Sequence, residues 1–348
     1  MDYKRPGPLL VFVLICLITV PSFFNTYRIL AFQIIPTDPY EPFLLYFTSH
    51  KGQWPGSPFG YRVLSVLPAV PLYYILPTYK FSLLRDLDLA HLKACEALAA
   101  VSYLFMAGTA TLAFETVYRK LRLGVFAAAF TAMLSLILLD FSGWFGVDPI
   151  GIFFIFVLVV YFDRPGIFCL TFCAAPFLNE KIILFFVLLV MERSLFIKGF
   201  IQSHRVQTVA VVLGLLIYVA LLRIIQLPAE GNEYQTELSM WIPHFIDMSL
   251  GSISSAKGIV LNILPSVVMI TPCMLFSIRP EGSHGILAAS DALVPLGLFA
   301  AGLVFTFGAT VGHVVSFALP LTLISTAALV ATAEDKAERH ELGQSAGT

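Results

Sequence analysis

The chain has 348 residues, of which 58% are hydrophobic and 12% charged, with a formal net charge of −1 and a mean hydropathy of +0.86. A soluble domain carries about 25% charged residues, so a water-soluble globule is excluded. A near-neutral chain also offers no electrostatic reason for a nucleic-acid partner.

The apolar residues come in continuous runs, such as LLVFVLICLITVPSFF, VAVVLGLLIYVALL and IVLNILPSVVMITPCMLF. Runs near the ~20 residues a helix needs to cross a bilayer, without short-period alternation, exclude a transmembrane barrel. The expectation is an all-α, polytopic transmembrane helical bundle of about 10 spans, forming one transmembrane domain over 1–332 with a polar tail at 333–348. The spans are expected at 8–31, 92–117, 124–140, 149–162, 166–178, 181–192, 207–224, 258–278, 291–310 and 313–332.

The first run follows Lys4 and Arg5 but is longer than a signal-peptide core and has no small-x-small cleavage site after it, so it reads as a retained span. Residues 149–162, 166–178 and 181–192 are short for full spans. They read as half-spans, re-entrant segments or tilted helices broken by Pro165 and Pro176. The stretch VLSVLPAVPLYYILP (63–77) is apolar but has three prolines in it. It reads as a helix lying at the interface, with Tyr73 and Tyr74 at the depth aromatic residues favour.

With both termini cytoplasmic, the 21 Lys and Arg fall in modest excess on the inner side, which the orientation rule requires. If 63–77 crosses fully, the loop YRKLRLG (118–124) turns outward instead. The preferred arrangement leaves two large outer loops, at 32–91 and 225–257. No internal repeat is visible. The five cysteines lie in or beside apolar runs and read as small hydrophobes.

The densest polar patch opens the first outer loop, in PTDPYEPFLLYFTSHKGQWPGSPFGYRVL. Asp38 and Glu41 are three residues apart, and carboxylates at that depth suit a general base toward a hydroxyl or a divalent-cation site. They equally suit a capping pair for the helix that follows. Arg62 presents a forked guanidinium suited to a phosphate, or snorkels to the interface. Asp140 and Asp148 bracket FSGWFGV, and Asp148 stands before proline as either a cap or a site residue. Asp86, Asp88 and His91 read as a charged surface segment, with a metal site as the alternative.

The triplet Asn179, Glu180 and Lys181 interrupts two apolar runs. An ionisable side chain at membrane depth costs ~2.5–3.5 kcal/mol or more, so this pair either ends a hairpin at the interface or lines a polar cavity that takes a charged ligand. His313 stands at the mouth of the last span.

Together these pieces resemble the C-type glycosyltransferase superfamily, in its uncharacterised, mostly bacterial branch of polytopic membrane proteins. The resemblance rests on Asp38 in PTDPYEP, FGYRVLSVLP with Arg62, the DP at Asp148, the NEK triplet and HVVSFALP, in that order over most of the chain. That family's triplet places the base before the acid and commonly has arginine where His313 stands.

The resemblance implies inverting transfer of a sugar from a polyprenyl-phosphate donor to a hydroxyl on a glycan, lipid or protein acceptor, at the outer face of a bacterial inner membrane and in contact with membrane lipid. Asp38 would be the general base. Glu41, Arg62, Asp148, Asn179, Glu180, Lys181 and His313 would bind substrate and phosphate, with Glu180 orienting Lys181. The loop around Trp241 and His244 would contact the acceptor. No cofactor is implied. The rival expectations are a transporter or flippase of a lipid-linked or anionic substrate, and a non-enzymatic scaffold subunit.

Overall fold

The computed structural model describes residues 7–31, 40–55, 59–78, 88–143, 148–225, 254–255, 259–277, 292–305 and 314–330. Among these the regular structure is helical throughout, with no strand. Three helices are long and apolar enough to cross a membrane: Pro8–Ala31, Leu89–Lys120 and Arg205–Ile224. They are consistent with a membrane protein. In the other helices the apolar stretches are shorter, at 10–17 residues, so ten spans are not established.

We number the helices α1 (Pro8–Ala31), α2 (Tyr40–Thr48), α3 (Val63–Val66), α4 (Ala69–Ile75), α5 (Leu89–Glu115), α6 (Val125–Gly143), α7 (Asp148–Val160), α8 (Pro165–Phe172), α9 (Ala175–Leu178), α10 (Glu180–Phe196), α11 (Phe200–Ser203) and α12 (Arg205–Ile224). The series continues with α13 (Leu264–Ser277) and α14 (Leu293–Phe305), and ends with α15 (Ser316–Val330). Each expected span contains helix, with bounds shifted by a few residues.

Helix α5 is the centre, packed by α1, α2, α4, α6 and α7. Its sequence explains this. Ala94, Ala97, Ala99, Ala107, Ala110 and Ala113 are buried, and side chains this small let neighbouring backbones approach closely. Thr109 and Thr111 return their hydroxyls to the carbonyls of Phe105 and Ala107, so they bring no unsatisfied polar group into the packing. Asp88 caps the helix, accepting from the amides of Ala90 and His91 at 3.2 and 3.4 Å.

The outward faces are apolar. On α1 Leu9, Leu10, Leu14, Leu17 and Ile18 are exposed, and on α12 Val206, Val209, Leu213, Leu216 and Ile217. Surfaces of that kind suit contact with lipid and would promote aggregation in water.

Prolines account for the breaks. Pro176 supplies no N–H to the Phe172 carbonyl and its ring clashes there, so α8 ends at Phe172 and the chain restarts as α9. Residues 63–77 form two short helices that meet at Leu67 and Pro68. At 1.5 Å per residue, that stretch covers only about 20 Å, well short of a ~30 Å hydrocarbon core. Tyr73 is buried and Tyr74 exposed, as suits a segment lying along the bundle. One end of the molecule therefore gathers the C-terminal ends of α1 and α12 and the N-terminal ends of α5, α7, α10 and α15.

Candidate functional site

The NEK triplet is where the chain turns between α9 and α10. Asn179 takes extended backbone, φ −167° and ψ 129°, and its side-chain oxygen accepts from the Lys181 amide at 3.1 Å. Asn179 is thus the N-cap, and Glu180 and Lys181 fill the first turn of α10. A carboxylate is favoured at a helix N-terminus and a cation is not, so Lys181 needs a compensating partner.

That partner is Asp148, the first residue of α7. Its Oδ2 lies 3.6 Å from Lys181 Nζ, and its Oδ1 accepts from Asn179 Nδ2 at 2.9 Å. The Asp148 side chain is only 1% exposed and that of Lys181 12%. The ammonium also sits 4.9 Å above the centre of the Phe317 ring, which attracts cations through its quadrupole. Gly151, one turn along α7 from Asp148, admits that ring: a Cβ there would meet Phe317 Cε1 at 2.8 Å.

Arg62 approaches from the first loop as the N-cap of α3. It grips Glu180 in the bidentate fork that guanidinium geometry favours. Nε donates to Oε2 at 2.9 Å and Nη2 to Oε1. Its Nη1 donates to the Tyr40 hydroxyl at 2.7 Å. Burial pushes the Tyr40 phenol well above its ordinary pKa, so it remains a neutral partner. Ser65 donates to the Leu178 carbonyl at 2.6 Å and fastens α3 to the same turn.

Arg62, Asp148, Asn179, Glu180 and Lys181, separated by up to 119 residues, therefore form one buried polar network. Two cations and two carboxylates cancel within it. Within it Glu180 pairs with Arg62 and Asp148 with Lys181. The order in NEK explains this: consecutive first-turn residues point about 100° apart and meet different neighbours.

Glu41 lies elsewhere. Its Oε1 is 3.1 Å from His91 Nδ1, and neither residue belongs to the Arg62 network. Asp38, His313, Trp241, His244 and Asp86 lie outside the described residues, as does the tail 333–348. Asp140 falls within α6, and nothing further is described of its side chain. Among the described residues no three His, Cys, Asp or Glu side chains come together to hold a metal ion.

A groove of about 330 Å³ is lined by Trp54, Gly60, Tyr61, Val63, Phe177, Leu221 and Ile225, and no member of the network is among its lining residues. Tyr61 adjoins Arg62 in the chain, and its hydroxyl donates to the Ile225 carbonyl at the end of α12. Trp54 packs edge-on to Phe43 and Tyr46, with ring centres 4.8 and 5.5 Å apart.

Sequence reasoning missed Tyr40 and Tyr61. The available signal was their setting: each is an aromatic with a polar tip beside a residue already singled out, in DPYE and GYR. No protein-family model, curated protein or solved structure matches the chain.

Proposed function

We propose that the chain is an inverting, multi-pass membrane glycosyltransferase that moves a sugar from a polyprenyl-phosphate donor to an acceptor hydroxyl on a glycan, lipid or protein. The observation that supports this reading is that Arg62, through Glu180, and Lys181 meet at the same NEK turn, while Tyr61 and Val63, the chain neighbours of Arg62, line an apolar groove. An amphipathic donor needs that pairing: cations for its phosphate and a greasy channel for its chain. In this reading the shorter apolar helices complete about ten crossings of a bacterial inner membrane, and the site faces outward.

The chemistry then runs in one displacement. Asp38, two residues before Tyr40, takes the proton of the acceptor hydroxyl. The alkoxide-like oxygen attacks the anomeric carbon, and the bond from that carbon to the phosphate oxygen breaks. Its electron pair stays on the departing lipid phosphate, which gains one negative charge. Arg62 and Lys181 stabilise that charge where water is scarce, with His313 as a third contact. Glu180 and Asp148 hold the two cations in place beforehand.

The test is Asp38→Asn, with analysis of surface glycans and lipid-linked sugars in cells that make the protein at wild-type level. General-base loss costs about 10²–10⁴ in rate, so one glycan substituent disappears and the donor lipid accumulates. Unchanged glycans at equal protein level overturn the reading.

One observation favours a second reading. The four network charges cancel, as in the paired intramembrane charges of transporters. A flippase would move a lipid-linked sugar between the leaflets of reconstituted vesicles without changing it chemically.

A further inference from the structure

His91, in the first turn of α5, touches two other elements. Its Nε2 is 3.0 Å from the carbonyl oxygen of Ala31, the last residue of α1. Its Nδ1 is 3.1 Å from Oε1 of Glu41, in the first turn of α2. One ring thus meets both ends of the 32–39 connection. A carbonyl oxygen only accepts, and so does an ionised carboxylate. An imidazole bonded to both must carry a proton on each nitrogen. If Glu41 held the second proton and donated it to Nδ1, the pair would still bind the same total, so the bridge as a unit needs that extra proton.

The consequence reaches the Arg62 network. Glu41 and Tyr40 are neighbours in the first turn of α2, and their side chains diverge by about 100°. Tyr40 meets Arg62, while Glu41 meets His91. We infer that His91 is a positioning residue for the cation network: with its extra proton it anchors the start of α2 to α1 and α5, which keeps Tyr40 against Arg62. The function of that network rests on the glycosyltransferase reading, but the anchoring does not.

Among the described residues the other titratable and charged groups around the ring are few. On α5 itself Asp88 caps the helix, the Cys95 sulfur is 3.7 Å from Nε2, and Lys93 turns to the Tyr73 ring of α4. On α1 Tyr27 lies within electrostatic reach of Glu96 and Cys95, and Arg28 in the last turn donates to Asn25 at the surface. Among the described residues Glu41 is the carboxylate in direct contact. The hydrogen bond with Glu41 holds the imidazole above its ordinary pKa, so the pair loses its extra proton as pH rises past the free value near 6.5. One N–H then faces two acceptors, and one of the two bonds is lost.

The experiment is hydrogen–deuterium exchange of the full-length protein in lipid nanodiscs at pH 5.5, 7.0 and 8.5, corrected for intrinsic exchange rate, followed in peptides covering 40–48. In the wild type, protection of α2 falls about fivefold from pH 5.5 to 8.5, the effect of one modest hydrogen bond. Peptides covering 59–66, which carry Arg62, show a smaller fall of the same sign, and peptides covering 205–224 stay constant. His91→Gln and Glu41→Gln each flatten the α2 profile. A wild-type profile without the step overturns the inference, and so does a step that survives in either variant, appears equally in the 205–224 peptides, or leaves the 59–66 peptides unchanged. If neither variant folds, the wild-type comparison of the three peptide sets decides alone. The readout needs no turnover, so an unchanged glycan profile in Asp38→Asn leaves it standing.

Discussion

Glu180→Gln is the sharpest probe of the polar network. It keeps the side-chain shape and one acceptor oxygen but removes the charge that faces Arg62. The Arg62 side chain is only 5% exposed, so the variant leaves a buried guanidinium without its bidentate partner. Breaking a buried pair in this way costs about 3–5 kcal/mol. The lower end applies, near 3 kcal/mol, because a quarter of the Glu180 side chain is exposed and water can partly replace it.

Arg62→Met costs less, about 2 kcal/mol by the same reasoning, since the carboxylate left behind is the better solvated partner and lies beside Lys181. Glu180→Leu alone leaves the same buried guanidinium unpaired, and the double variant Arg62→Met, Glu180→Leu, which closes the cycle with these two singles, removes both charges together and replaces them with apolar volume. Such replacements are often neutral or stabilising, so the double variant is more stable than the sum of the singles by about 2 kcal/mol or more. The assay is reversible unfolding of the purified protein in mixed micelles over an SDS series. Additive losses, with a coupling below about 0.5 kcal/mol, would refute the claim that Arg62 and Glu180 act as one buried unit.

Two further perturbations test the positioning of the site. Asn179→Ala removes the α10 cap, worth about 1 kcal/mol, and the amide that donates to Asp148, worth about another 1–3 kcal/mol. The unfolding series should therefore show a loss of about 2–4 kcal/mol, and a loss under about 1 kcal/mol would deny Asn179 its double role. Gly52→Ala places a Cβ 1.8 Å from the Pro42 carbonyl oxygen and 2.4 Å from the Tyr46 amide nitrogen, both backbone atoms that a side-chain rotation cannot relieve. It should cost at least the upper end of the usual ~1–3 kcal/mol for overpacking and shift Trp54 emission in a background with Trp144 and Trp241 replaced by Phe. An unshifted spectrum at wild-type stability would show that the 49–55 turn does not rest on α2.

The sequence by itself determined the class and most of the helices. Continuous apolar runs leave helices as the structure that satisfies every backbone group in lipid, and proline and asparagine mark the breaks at Phe172 and Asn179 because their effects are local. The sequence also identified Arg62, Asp148 and the NEK triplet as costly residues, since a charge among apolar neighbours needs a partner wherever it lies.

Only the tertiary structure decided which partner each one takes. Pairing Arg62 with Glu180 and Lys181 with Asp148 depends on how α3, α7 and α10 meet, and first-turn side chains about 100° apart diverge toward different neighbours. The same is true of Glu41, which suggested a capping role or a general base from its spacing and instead meets His91 on α5. Helix identity is written in nearest-neighbour chemistry, whereas the choice among several nearby opposite charges is made by packing across long stretches of chain.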